Sequence, residues 1–105
     1  MTEAFDPQAL DDLIHGKLRL SIMAYLSGVE RASFNEIKAR TKATDGNLSV
    51  NLRKLEEAGY AFIEKRFEGR KPLTEAGLTE AGRSAWIAYL DQMASLLDQS
   101  RPKPQ

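Results

Sequence analysis

No cysteine occurs among the 105 residues, which excludes a disulfide framework, a thiolate metal site and a thiol nucleophile. No apolar run approaches the roughly 18 residues that a membrane span requires. The opening Met1-Thr-Glu-Ala-Phe-Asp6 is acidic and lacks the basic and apolar regions of a secretory signal, so the cytoplasm is the expected compartment. There is one histidine, His15, and it precedes Gly16, where a polar helix end accounts for it. HExxH, a phosphate-cradling glycine loop and GxSxG are all missing, so neither a nucleophile–base pair nor a metal set stands out. Adjacent carboxylates such as Asp11-Asp12 and Glu56-Glu57 point different ways on a helix and form no acid–base pair. An enzyme is therefore not expected, and neither is a cofactor or a metal. Internal repeats and low-complexity segments are missing as well.

A chain of this length makes one domain and can bury a core without metals or disulfides. Its 42% apolar and 29% charged content is ordinary for a globular protein. The formal net charge is zero, but it is unevenly spread. Residues 1–16 hold Glu3, Asp6, Asp11 and Asp12 and no Lys or Arg, a net −4. Residues 31–71 hold ten Lys/Arg against six Asp/Glu, a net +4. A neutral total thus conceals a basic middle.

Asp6-Pro7 predicts a helix start, with Asp as cap and Pro in the first turn. Leu10, Leu13 and Ile14 supply its apolar stripe, and His15-Gly16 ends it. A second helix is expected from about Lys17 to Ser27, with Leu18, Ile22, Tyr25 and Leu26 on one face and Gly28 as its stop. Ser33-Phe-Asn-Glu36 fits a capping box and predicts a short helix to about Arg40, with Phe34 and Ile37 inward. Thr41-Lys-Ala-Thr44 breaks it, and Thr44 can cap a fourth helix over 45–58, with Leu48, Leu52 and Leu55 inward. The period then changes. Tyr60–Phe67 reads as a strand, Glu68–Pro72 as a turn and Leu73–Leu78 as a weaker return strand. Phe34, Tyr60, Phe62 and Phe67 are assigned to core and strand-base packing. Thr79 caps a last helix over 80–99, and 100–105 is expected to be a disordered tail.

A short helix, a tight turn, a longer helix and a β-hairpin in that order make a winged helix-turn-helix: a mainly α fold with a small antiparallel β-hairpin wing. The major groove of B-DNA is about 12 Å wide and admits one helix. With the leucines inward, Gly46, Val50, Arg53, Lys54 and Glu57 point outward, and Asn47, Ser49 and Asn51 sit on the flanks. Asn can pair with adenine, Arg with guanine, and Val can touch a thymine methyl. Thr44 and the free N–H groups beside it suit a phosphate, and Lys54, further along, suits a phosphate better than a base. Lys65, Arg66, Arg70 and Lys71 around Gly69 form a basic turn for the adjacent backbone or minor groove. Taken singly, each of these charges would pass for ordinary solvated surface. The combination with the helix pair points to DNA.

The stretch Thr44-Asp-Gly-Asn-Leu-Ser-Val-Asn-Leu-Arg-Lys-Leu-Glu-Glu-Ala-Gly-Tyr60 resembles the winged helix domains of MarR/ArsR-type bacterial transcription regulators. Glu64-Lys-Arg-Phe-Glu-Gly-Arg-Lys-Pro72 and Leu78-Thr-Glu-Ala-Gly-Arg83 extend the likeness, which is to a compact single-domain subgroup. It spans roughly Leu10 to Leu97. It implies operator binding, a homodimer and an interface built by the terminal helices. Metal sensing is not carried over, because the Cys and His clusters it needs are missing.

The last helix fits the dimer reading independently. Trp86, Leu90, Met93 and Leu97 recur at helical spacing with Tyr89 and Leu96 alongside, a stripe longer than the domain's own core needs. With Leu10, Leu13 and Ile14 it would form a subunit contact, the terminal helices spanning about 6–27 and 80–99 of a domain over 1–99. Two-fold symmetry would set two recognition helices about 34 Å apart on a pseudo-palindromic operator. A small-molecule effector is compatible with this arrangement, with room near Trp86 and Tyr89. The alternative is a winged helix that docks protein instead of DNA, which a net charge of zero permits.

Overall fold

The computed structural model describes residues 10–102. The elements are α1 (Lys17–Ser27), β1 (Ala32–Ser33), α2 (Phe34–Thr41), α3 (Asp45–Glu57), β2 (Ala61–Glu68), β3 (Lys71–Leu78) and α4 (Glu80–Ser100). The three strands form one antiparallel sheet in the order β1-β3-β2. No helix among the described residues is long and apolar enough to cross a membrane.

The caps read from sequence fix most boundaries. Ser33 Oγ accepts from Glu36 N at 3.1 Å while the Glu36 carboxylate accepts from Ser33 N at 3.5 Å, so the capping box forms. Thr44 and Thr79 cap α3 and α4 by accepting from the third residue of each. After α3, Gly59 takes φ +83, its N–H bonds Glu56 O, and Tyr60 N bonds Leu55 O at 2.9 Å. This pair of bonds is a Schellman ending, which requires a left-handed residue that glycine supplies cheaply.

Leu48, Leu52 and Leu55 of α3 meet Ile22, Met23 and Leu26 of α1 and Ile37 of α2 in the core. Ala61, Ala76, Leu78 and Tyr89 close it from the sheet and α4. The inward stripes of α1 and α3 are those the sequence predicts, with Met23 added and Leu18 and Tyr25 only half-buried.

Several expectations are corrected. Asp6 and Pro7 lie outside the described residues, and residues 10–16 form turns rather than a helix. The cause is Asp11, whose Oδ1 accepts from Leu13 N at 2.9 Å and Ile14 N at 3.3 Å. Such a side-chain bond offers the backbone a turn in place of a helix. The segment is pinned to the body at three points. Tyr60 Oη donates to Asp11, His15 Nδ1 meets Tyr89 Oη at 2.7 Å, and Arg19 Nε donates to Leu13 O. The bond to Asp11, then burial and the Asp11 charge, raise the Tyr60 pKa, and burial alone raises that of Tyr89.

The wing strands are longer than read, and only Gly69-Arg70 separates them, with Gly69 at φ +65. A glycine at the first turn position with positive φ is the type II′ requirement, whose twist suits a hairpin. Pro72 therefore lies inside β3. It is tolerated because β1 pairs only with Glu75 and Ala76, which leaves the other edge of β3 open at Pro72. Strand β1 has only two residues, too short to show a period. The last helix includes Ser100, which the sequence reading gave to a disordered tail, and residues 103–105 lie outside the described residues.

Candidate nucleic-acid interface

Because the three leucines anchor α3, the opposite side is left to solvent. Gly46, Asn47, Ser49, Val50, Arg53 and Lys54 are all exposed, Val50 by 50%. A Cβ added at Gly46 would meet nothing within 4 Å. Thr44 is exposed and its hydroxyl oxygen accepts from Asn47 N at 3.2 Å, which leaves its proton free to donate. Asp45 in the same turn is held by Lys38 Nζ at 2.7 Å.

Asn51 departs from its expected role. Its Oδ1 accepts from Arg19 Nη1 at 2.8 Å and its Nδ2 donates to Asn47 O at 2.7 Å. Both ends of the amide are thus engaged, so Asn51 is a tether between α3 and α1 rather than a free reader of adenine. Arg19 holds Leu13 O with its other donor, so one guanidinium ties the N-terminal turns to α3. The sequence reading missed Arg19, since a contact 32 residues away leaves no local trace.

The wing has two unlike sides, because alternate residues of a strand face opposite ways. Ile63 and Lys65 of β2 and Thr74 of β3 face α3 across an open cleft of about 540 Å³, whose other walls include Ser49, Leu52, Arg53 and Glu56. On the far side Arg31 Nη1 reaches Glu64 at 2.8 Å and Glu75 at 3.5 Å, and Arg66 Nε reaches Glu75 at 3.1 Å. Arg31 also lies over the Phe62 ring at 5.3 Å. Arg66 was expected among the free wing cations. The strand alternation instead turns it away from α3 and against Glu75. Arg31 was not singled out from sequence, and its role is to neutralise the same far side. Arg53, Lys54, Lys65, Arg70 and Lys71 form no ion pair among the described residues. Within α3 and the wing, the unpaired cations therefore lie on α3, at Lys65 on the α3-facing side and at the wing tip.

Of the residues assigned to a subunit contact, Ile14 has no exposed surface and Tyr89 only 3%, so both belong to this chain's own core. The local turn at Asp11 drives Ile14 inward, and the His15 bond draws Tyr89 in. Trp86 stacks on Tyr89 with centroids 5.9 Å apart. Leu10, Leu13, Trp86 and Met93 are partly buried against the core, and Leu96 is half-buried. Leu90 and Leu97 remain exposed, as does Ile87, which the sequence reading omitted. Phe67 is corrected as well: it is 73% exposed at the wing tip, not packed at the wing base.

Residues 18–97 match the family model described as a winged helix DNA-binding domain. An uncharacterized protein of Methanocaldococcus jannaschii is 33% identical over 84 residues, covering 80% of this chain and 91% of the relative. Among solved structures, a transcriptional regulator homologue from Pyrococcus horikoshii OT3 is 28% identical with a TM-score of 0.79, covering 83% of this chain and 86% of that one. A MarR-family transcriptional regulator from Enterococcus faecalis V583 is 26% identical with a TM-score of 0.67, covering 83% and 80%.

Proposed function

Because the chain belongs to the winged helix DNA-binding domain family, we propose that it is a sequence-specific, dimeric DNA-binding regulator that lays α3 in the major groove and its wing along the neighbouring backbone or minor groove. One observation supports this reading above the others: Ser49 and Arg53 of α3 and Lys65 of the wing line one cleft and so can face one ligand, with Arg70 and Lys71 further out at the wing tip. Gly46, Asn47, Ser49 and Val50 are small enough to approach base edges, Arg53 can take a guanine, and Thr44 and Lys54 hold phosphates. Lys65 and Arg70 reach phosphates from the wing, with Lys71 beside them.

Duplexes selected from a random-sequence pool test it. Binding to a selected duplex should weaken steeply with salt, by about 0.9 in log–log slope per neutralised phosphate. Arg53→Ala should cost about 1–3 kcal/mol on the selected duplex and relax preference at one base pair. Arg70→Ala should weaken selected and unrelated duplexes alike and reduce the salt slope by about 1. Salt-independent binding, or a pool that yields no duplex at 50 mM salt, would refute the proposal.

The outer side of α4 supports the dimer. It carries Ile87, Leu90 and Leu97, exposed by 60%, 46% and 60%. An apolar stripe this long on a small domain suits a second subunit. Leu90→Glu with Leu97→Glu should convert the solution mass to that of a monomer without unfolding the domain, because neither side chain is in the core. A wild-type chain already monomeric at high micromolar concentration would contradict it.

A further inference from the structure

Among the described residues, the most exposed large apolar side chain is neither on α3 nor on α4. Phe67 is 73% exposed and sits one residue before the end of β2. Its cross-strand neighbour is Pro72. Strand alternation puts Phe67 on the side that carries Ile63 and Lys65, the side lining the cleft with α3. Pro72 joins it there, opposite on β3 and two residues from Thr74. The far side, by contrast, is closed by the Arg31–Glu64 and Arg66–Glu75 pairs. Single exposed apolar residues are common and alone mean little. This one lies between Lys65 and Arg70, two cations without ion pairs, at the narrow end of a hairpin closed by two residues. An exposed aromatic ring flanked along the chain by two phosphate-seeking charges is complementary to a nucleic-acid groove, where apolar sugars and base faces lie between phosphate rows.

Given α3 in the major groove as above, we propose that Phe67 is a minor-groove wedge, its ring inserted at a base step beside the site that α3 occupies. Pro72 is its cross-strand neighbour next to the turn of the hairpin. Wedges of this kind unstack the step and bend the duplex toward its major groove. The wing thereby adds specificity through the deformability of the flanking step. A flexible pyrimidine–purine step is the expected preference there.

The test uses the full chain and a duplex recovered from a random-sequence pool, with 2-aminopurine placed at successive flanking positions. Wild type should raise the fluorescence at one flanking step, where the base is unstacked. Phe67→Ala should abolish that rise and lower affinity about tenfold to a hundredfold, the range for cutting back an aromatic anchor. Its melting temperature should not change, since the side chain is exposed. Phe67→Leu should keep part of the rise. Lys65→Ala should keep the rise while losing about one unit of salt slope. If the pool yields no duplex, the DNA reading itself falls, and this inference with it. If a duplex is recovered but no position brightens, or if Phe67→Ala brightens as wild type does, only the wedge is overturned. A change in solution mass on Phe67→Ala would likewise overturn it, by assigning the ring to a subunit contact.

Discussion

Gly82→Ala should lower the melting temperature by about 12–24 °C. Gly82 is buried in the first turn of α4, and its N–H donates to the Thr79 cap at 3.0 Å. A Cβ added there would run into the carbonyl oxygen of Tyr60. That oxygen cannot retreat easily, because it accepts from Thr79 N at 3.0 Å, and Thr79 Oγ1 in turn donates to Gly59 O. The junction of α3, β2 and α4 is thus a closed set of backbone contacts with room for a hydrogen and not for a methyl. Relief would require α4 to lift away and unseat Tyr89, which is only 3% exposed. Overpacking of a rigid site costs about 3 kcal/mol at the upper end of its usual range. For a domain of this size each kcal/mol shifts the melting temperature by about 4–8 °C. Thermal unfolding of Gly82→Ala beside wild type decides it, and a melting temperature within about 2 °C of wild type would show that the close approach is not made.

The same junction shows what the sequence could and could not disclose. Leu78-Thr-x-x-Gly82 was legible as a cap followed by a glycine, and the cap forms as read. The reason for the glycine was not legible, because Tyr60 lies 22 residues earlier and only the folded chain brings its carbonyl there. This division holds elsewhere. Features set within one or two turns were readable: the capping box at Ser33, the caps at Thr44 and Thr79 and the leucine stripe of α3. Features set by a remote partner were not. Asn51 looked like a base reader until Arg19 closed on it at 2.8 Å. Arg66 looked free, but which side of the wing it takes depends on register, and the pairing of Ala61 with Leu78 turns it away from α3. Phe67 has the composition of a core residue and is exposed because the hairpin outruns the body of the domain. At Asp11 the helix expected from sequence gives way to a side-chain-capped turn, and the bonds that favour the turn come from the distant Tyr60, on Asp11, and Tyr89, on His15.

Gly46→Leu should leave a more stable protein that has lost its specific DNA binding. Gly46 sits in the first turn of α3 with open space around it, so a larger side chain meets no obstacle in the folded chain. Replacing a helical glycine with leucine gains up to about 1 kcal/mol in propensity, less near a helix end. By stability alone this glycine is a poor choice. The proposed major-groove geometry gives it a purpose, since Gly46, Val50 and Arg53 recur at four and three residues and share the outward side. A leucine at 46 would hold the helix off the base edges by more than the 2.7–3.2 Å that hydrogen bonds allow. Ser49, Val50 and Arg53 would then lose their partners together. Contacts of about 1–3 kcal/mol each put the combined loss near a hundredfold or more. What remains should be the salt-dependent binding shared by any duplex, because the wing cations are untouched. Gly46→Ala should fall between the two. Affinity for the selected duplex and for an unrelated one, measured beside thermal unfolding, separates the effects. A Gly46→Leu protein that is more stable and still discriminates as wild type does would mean that this side of α3 does not enter the groove.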